Sequence, residues 1–145
     1  MDFNALNNDL ENIIQQRSML SDMDYNDETY DDAEEKLHEF EDDFLENYGE
    51  YLEDILEDLY EQHSPSQDVL SPIAYIARNY SPLEETEVGQ QYSFKPQDAV
   101  QFEVQKAPKM DARLVFIPNP VRLLLVLDKK EVSELWRQPE EKSVK

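Results

Sequence analysis

Hydrophobic residues recur at helical spacing through the first 63 residues of the chain. The first series runs in steps of three and four from Phe3 to Leu20, and one of its positions is charged, Arg17. The second runs from Tyr30 to Leu59, with one extra four-residue step that resembles a coiled-coil stutter. Such spacing keeps apolar side chains on one helix face. The sequence therefore predicts two amphipathic helices, the second about 50 Å long if it spans residues 27–62.

A short polar connection separates the two series. Asn26 is the predicted N-cap of the second helix, and Asp27 with Glu28 suit its positive first turn. Because a short connection makes successive helices antiparallel neighbours, residues 1–63 are predicted to form a helical hairpin. Residues 64–91 are predicted as a linker and a short helix, with Ser71 as its cap and Pro72 at its first position, followed by a polar loop over 83–91.

The hydrophobic period changes in the last third of the chain. Val100, Phe102 and Val104 alternate with polar residues, and apolar runs at 114–117 and 121–127 are joined by Pro-Asn-Pro. Both patterns predict strands, with a further short strand at 92–94 and the 121–127 strand central in the sheet. Asp128 and Glu131 have the spacing of a capping box, which predicts a closing helix.

These elements predict an α+β protein. It consists of an antiparallel helical hairpin, a short helix, a small antiparallel sheet of three to four strands within 92–138, and a C-terminal helix. The length of 145 residues is that of one domain. The tail, 139–145, is expected to fray.

Charge is concentrated in the predicted hairpin. The formal net charge of the chain is −21. Residues 1–63 hold 22 acidic and two basic residues, a net charge of −20, whereas residues 64–145 hold 12 acidic and 11 basic residues, a net charge of −1. A field of this sign repels nucleic acid and anionic membrane, and attracts cations or basic protein surfaces. We therefore expect neither nucleic acid nor membrane as a partner.

Several function classes find no support in the sequence. The chain has no cysteine, which excludes thiol nucleophiles, disulfides and thiolate metal sites. It has two glycines, so it lacks a glycine-rich phosphate loop, and no serine lies in a recognisable nucleophile elbow. We expect no enzymatic activity, no catalytic residue and no cofactor. With no secretory pattern and no apolar run longer than 123–127, a soluble cytoplasmic protein is expected.

Two motifs resemble metal sites but are incomplete. Glu35 and His38 have the helical spacing of carboxylate-bridged di-iron proteins, yet the second such motif is missing. Asp22, Asp24 and Asn26 resemble the start of an EF-hand loop, which here lacks glycine at its sixth position and glutamate at its twelfth. No metal ligand is predicted, and a divalent-metal protein using helix carboxylates remains an alternative.

The remaining signal is an acidic run without basic residues between 37 and 63. It is either a solvated face or a surface for a partner. Its predicted partner-binding residues are Glu39, Asp42, Asp43, Glu46, Glu50, Glu53, Asp54 and Glu57, together with Tyr25 and Tyr60. The predicted function is protein–protein interaction, through a homodimer formed by the long helix or a basic partner. An inhibitor of immunity-protein or nucleic-acid-mimic type is the alternative.

Overall fold

A computed structural model describes residues 1–139 and shows an α+β fold, as predicted. The helices are α1 (Phe3–Asp22) and α2 (Tyr30–His63), with 3₁₀ turns at Pro72–Tyr75 and Pro96–Asp98. The strands are β1 (Tyr80–Thr86), β2 (Gly89–Phe94), β3 (Val100–Gln101), β4 (Ala112–Ile117), β5 (Arg122–Leu127) and β6 (Glu131–Arg137). Of the tail predicted to fray, residues 140–145 lie outside the described part of the chain.

Helices α1 and α2 form an antiparallel pair. Near the start of α1, the ring of Phe3 lies 5.8 Å from that of Tyr51, far along α2. Near the end of α1, the buried Gln16 side chain donates to the carbonyl of Ala33, at the start of α2. The start of α1 therefore lies beside a late part of α2, and the end of α1 lies beside the start of α2, as the predicted antiparallel hairpin requires.

The second half of α2 continues beyond α1 and is covered by other parts of the chain. Leu52 and Leu56 are buried, and the Tyr60 ring lies 4.8 Å from the ring of Phe102 and 6.5 Å from that of Tyr75. The second hydrophobic series of the sequence passes through Tyr51, Ile55 and Leu59 in this stretch, and these residues are only half-buried. The buried stripe shifts by one residue because the helix leaves α1 and meets a different surface.

The start of α2 differs from the prediction. Thr29, not Asn26, is the N-cap residue, and its side chain makes no capping hydrogen bond. The Asp27 carboxylate instead accepts hydrogen bonds from the backbone N–H and the hydroxyl of Thr29, at 2.8 Å each. The helix therefore begins three residues later than expected, because Asp27 stabilises a turn before it.

The predicted short helix is a single 3₁₀ turn. The Ser71 side chain does not cap it, and Ile76 is already extended. The Arg17 guanidinium explains this ending, since it donates to the carbonyl of Ile76 at 2.7 Å and approaches that of Ala77 at 3.4 Å. Arg17, the charged position in the first hydrophobic series, thus connects the helices to the segment that follows them.

The polar loop predicted over 83–91 is wrong. This segment belongs to a β-hairpin of β1 and β2, in which Tyr80 pairs with Phe94 and Thr86 with Gly89. Only the first residue of β1 is buried, and the other six are exposed, so the strand has no hydrophobic alternation. The predicted strand at 92–94 is confirmed as the end of β2.

Strands β3 to β6 form one antiparallel sheet in chain order. The central β4–β5 pair, joined by Pro-Asn-Pro, agrees with the prediction, and Leu114 and Leu123 are fully buried in it. The strand predicted over 100–104 is limited to Val100 and Gln101, which pair with β4. The buried side chains of helices and strands join in one hydrophobic cluster.

The predicted C-terminal helix is wrong, because residues 131–137 form strand β6 along the edge of β5. Asp128 and Lys129 both have positive φ, and the N–H of Lys130 donates to the carbonyl of Leu127 at 3.0 Å. This is the geometry of a hairpin turn. The Asp128 carboxylate accepts from the N–H of Asp111 and caps no helix. The pairing of β5 with β6 shifts register between Leu123–Trp136 and Leu124–Glu134, so Leu135 is an extra residue in β6.

A cluster of polar side chains joins α1, β2 and the β4–β5 turn; we call Asn7, Glu11, Gln91 and Asn119 the polar junction. The side-chain amide of Asn7 donates to Oδ1 of Asn119 at 2.6 Å, and Oδ1 of Asn7 accepts a bond from the backbone N–H of Asn119 at 2.7 Å. The Asn119 amide donates to Glu11 at 2.9 Å, and the Gln91 amide donates to the Asn119 carbonyl at 2.7 Å. These bonds fix the sheet against the first helix.

Gly89 is required where β2 meets the polar junction. Its φ is +118°, and a Cβ at this position would lie 2.7 Å from Cγ of Asn119. A side chain here would therefore push the β1–β2 hairpin away from Asn119.

Candidate protein-binding surface

Eight of the predicted partner-binding residues share one exposed face of α2, which we call the acidic face. All are exposed. At about 100° per residue their side chains fall within an arc of about 120°, and at about 1.5 Å per residue the face is about 27 Å long. Its members are Glu39, Asp42, Asp43, Glu46, Glu50, Glu53, Asp54 and Glu57.

No base within the helix offsets this face. Helix α2 contains 15 acidic residues and one lysine, Lys36, which lies before the acidic face and over the ring of Phe40. The ion pairs Arg17–Glu41, Arg113–Asp111 and Arg137–Glu134 all involve other carboxylates. Because like charges three and four residues apart repel, the acidic face destabilises its own helix.

Other acids of the hairpin are directed inward. The Tyr48 hydroxyl donates to Asp9 at 2.6 Å, and the Tyr92 hydroxyl donates to Glu11 at 2.9 Å. Burial, and then the hydrogen bond to the carboxylate, raise the pKa of both tyrosines. Sequence spacing gave no sign of these contacts, because each joins residues far apart in the chain. The hairpin therefore contains structural carboxylates as well as exposed ones.

The two candidate tyrosines have opposite environments. Tyr25 is 80% exposed in the helix connection, in ring contact with Tyr30 at 5.3 Å. Tyr60 is 4% exposed and exchanges a hydrogen bond of 2.7 Å with the Tyr75 hydroxyl. Tyr60 as a partner-binding residue is therefore wrong, since its hydroxyl is satisfied inside the core. Burial and the bond to Tyr75 raise its pKa.

The acidic helix connection is organised by its own carboxylates. Asp24 accepts the backbone N–H of Asn26 at 3.0 Å, and Asp27 binds Thr29 as described. The bond from the Thr29 backbone N–H, followed by that from its hydroxyl, lowers the pKa of Asp27. These aspartates therefore act as turn-forming residues.

The two motifs that resemble metal sites are not assembled into a ligand cluster. Glu35 and His38 are both exposed on α2. Among residues 1–139, no group of three or more His, Cys, Asp or Glu side chains has the geometry to hold a metal ion. The acidic face is a row of charges rather than a chelating pocket.

Comparison of the chain with protein-family models, curated proteins and solved structures gives no match. Neither described helix meets the length and hydropathy required to cross a bilayer.

Proposed function

We propose that this chain acts without catalysis of its own, by binding a basic surface of a second protein through the acidic face of α2. The observation that carries the proposal is the row of eight exposed carboxylates along one helix face, with no Lys or Arg between residues 37 and 63. A cationic partner would relieve their mutual repulsion, so complex formation would gain energy that the free chain does not have.

Self-association through α2 is not part of this proposal. A homodimer formed by the long helix would need an uncovered apolar stripe on α2. In the structure, Leu52 and Leu56 are buried under the chain's own later segments, and Tyr60 packs on Phe102. What α2 leaves exposed is charge, and two acidic faces would repel each other.

The spacing of the carboxylates favours one class of basic partner. Eight charges over about 27 Å have a mean axial spacing of about 3.9 Å, near the axial spacing of about 3.4 Å between phosphates on one strand of DNA. A protein surface that normally binds a nucleic-acid backbone would therefore find a similar charge density here. The second candidate function is accordingly an inhibitor that occupies such a surface, and duplex DNA would then compete with the chain for the captured partner.

The test compares two variants with the same change in net charge. The first, E46Q/E50Q/E53Q/E57Q, neutralises half of the acidic face. The second, E84Q/E85Q/E87Q/E131Q, neutralises four exposed glutamates on β1, its turn and β6. Each protein is immobilised, exposed to cell lysate at low salt and eluted with a salt gradient, and the eluted proteins are identified by mass spectrometry.

We expect a basic protein that wild type and the second variant capture and the first variant loses. Its elution should move to lower salt when face charges are removed, because exposed charges are screened by salt. Equal loss in both variants would show attraction to net charge alone. Equal retention in both would place the binding surface elsewhere and contradict the proposal.

A further inference from the structure

A cleft beside the β4–β5 turn is separate from the acidic face and has the opposite charge. It has a volume of about 460 Å³ and is lined by the β1–β2 hairpin, the β4–β5 turn and the end of β6. Among the described residues, neither helix contributes to the lining, and the charged members of the lining are Arg122 and Arg137. Because pockets for small molecules have volumes of about 300–1,000 Å³, the cleft is large enough for a small organic ligand.

The two arginines lie directly opposite each other on strands β5 and β6. Like charges in such a position destabilise an antiparallel pair. The charge of Arg137 is offset, since its Nη2 lies 3.0 Å from Oε1 of Glu134. For Arg122, no carboxylate of residues 1–139 lies within ion-pair distance. The cleft therefore contains one cation that the described part of the chain does not neutralise.

Arg122 is held in one orientation by its hydrogen bonds. Its Nε donates to the carbonyl of Pro120 at 3.1 Å, and its Nη2 donates to the carbonyl of Pro118 at 3.2 Å and to Oε1 of Gln91 at 3.0 Å. Within the described chain, the two N–H groups of Nη1 have no acceptor. Burial, and then the charge of Arg137, lower the pKa of Arg122. The site thus combines an oriented donor with a half-buried positive charge, which an anion would stabilise.

The rest of the lining provides a further donor and an apolar surface. Oε1 of Gln138 accepts the N–H of Val121 at 2.8 Å, which leaves its amide nitrogen without a partner among the described residues. Val88, which is 64% exposed in the β1–β2 turn, lines the cleft together with Pro120 and Pro139. A ligand with an anionic group and an apolar body would therefore meet complementary groups for both parts.

The balance of charge favours a carboxylate over a phosphate. Arg122, Arg137 and Glu134 together have a net charge of +1, which a single negative charge neutralises. A phosphate monoester has nearly two negative charges at neutral pH. It would leave an excess negative charge beside half-buried groups, in a chain whose net charge is already −21. Guanidinium groups bind carboxylates through strong, charge-assisted hydrogen bonds.

We propose that this cleft binds a small organic monocarboxylate. The carboxylate accepts from Nη1 of Arg122 and from the amide of Gln138, and Arg137 adds attraction from the neighbouring strand. The apolar body of the ligand packs on Val88 and the two prolines. The site is independent of the acidic face and would give the chain a small-molecule ligand in addition to a protein partner.

The test uses three probes, namely hexanoate, its neutral analogue hexanamide, and hexyl phosphate, each titrated at constant ionic strength. Amide NMR spectra record the side chain of Gln138, in the cleft, and that of Gln67, outside it. The proteins are wild type, Arg122→Gln, Arg137→Gln and the matched control Arg78→Gln. The control makes the same change in net charge by removing an exposed arginine outside the cleft.

We expect hexanoate to bind wild type and Arg78→Gln equally, and about tenfold more tightly than hexanamide or hexyl phosphate. Only the Gln138 amide signal should shift. Arg122→Gln should weaken hexanoate binding about tenfold, because it removes a charged donor. Arg137→Gln should weaken it about threefold. Since Arg137→Gln leaves the hydrogen bonds of Arg122 in place, it keeps the test decisive if Arg122→Gln does not fold.

Several results would overturn the inference. Unchanged affinity in the folded Arg122→Gln or Arg137→Gln variant, or a stationary Gln138 signal, would place the carboxylate elsewhere. Equal affinity for hexanamide would indicate an apolar contact alone, and tighter binding of hexyl phosphate would make a phosphate the ligand. Absence of hexanoate binding to wild type would remove the site altogether. None of these results would change the proposal for the acidic face.

Discussion

The polar junction and the acidic face both consist of strongly hydrated side chains, yet the chain uses them in opposite ways. At the junction, Asn119 is 5% exposed and takes part in five hydrogen bonds with Asn7, Glu11, Gln90 and Gln91. On the acidic face, every carboxylate is exposed. Buried polar groups whose hydrogen bonds are all made favour one arrangement of the fold. Exposed like charges instead destabilise the helix that carries them. The junction therefore serves the fold, and the face is available to another molecule.

The largest effect should come from breaking the junction with Asn119→Ala. This change removes the side-chain bonds of Asn119, so the half-buried Asn7 amide loses its acceptor and Glu11 loses one of its two donors. It also places alanine at a φ of +64°. We expect a loss of about 3 kcal/mol in the free energy of unfolding, measured by urea denaturation. The control is Asn8→Ala, on the exposed side of α1, which should change stability by less than about 0.5 kcal/mol. Similar values for both would show that the junction does not hold the sheet to α1.

A smaller loss is expected from Arg17→Met. The methionine keeps apolar contacts but removes the ion pair with Glu41 and the bonds to the carbonyls of residues 73, 76 and 77. We expect a loss of about 2 kcal/mol in the same measurement, since half-buried acceptors remain unpaired. The other base of the hairpin provides the matched control, because Lys36→Met should be nearly neutral. If both substitutions lower the free energy of unfolding by the same amount, Arg17 stabilises the fold only through its charge.

The smallest expected effect is a gain in stability rather than a loss. The double variant E46Q/E50Q removes like-charge pairs with Asp42, with Asp54 and between the two glutamates. We expect the free energy of unfolding to rise by about 0.5 kcal/mol at low salt. The gain should vanish near 1 M salt, where charge interactions are screened. A loss of stability at low salt would mean that these glutamates stabilise α2, and the contrast between face and junction would fail.

The helical part of the fold could be predicted because its signals are local and long. Steps of three and four define α1 and α2, and the Pro-Asn-Pro turn between two apolar runs defines β4 and β5. Strand β1 could not be found this way, since six of its seven residues are exposed. The apparent capping box of Asp128 and Glu131 was misleading. The edge of β5 provides backbone partners for residues 131–137, a stabilisation that no local pattern records.

The candidate surface was predicted more fully than the contacts that support it. Exposure of the acidic face follows from helical geometry once the apolar stripe is known. Burial of Tyr60 depends on Tyr75 and Phe102, which reach it only in the folded chain. The cleft beside Arg122 is likewise formed by residues from distant segments. The position of the acidic face could therefore be predicted from the sequence, whereas the aromatic groups that lie beside it depend on the fold.

Coverage of α2 along its whole inner side has a consequence for recognition. The helix is held first by α1 and then by the aromatic residues Tyr75 and Phe102, so the backbone under the acidic face is already ordered before any partner arrives. A partner would lose little conformational entropy from this side of the interface, and only side-chain rotamers would need to be fixed. The eight charges therefore form a template of fixed spacing, which can distinguish partners by the positions of their cations as well as by their number.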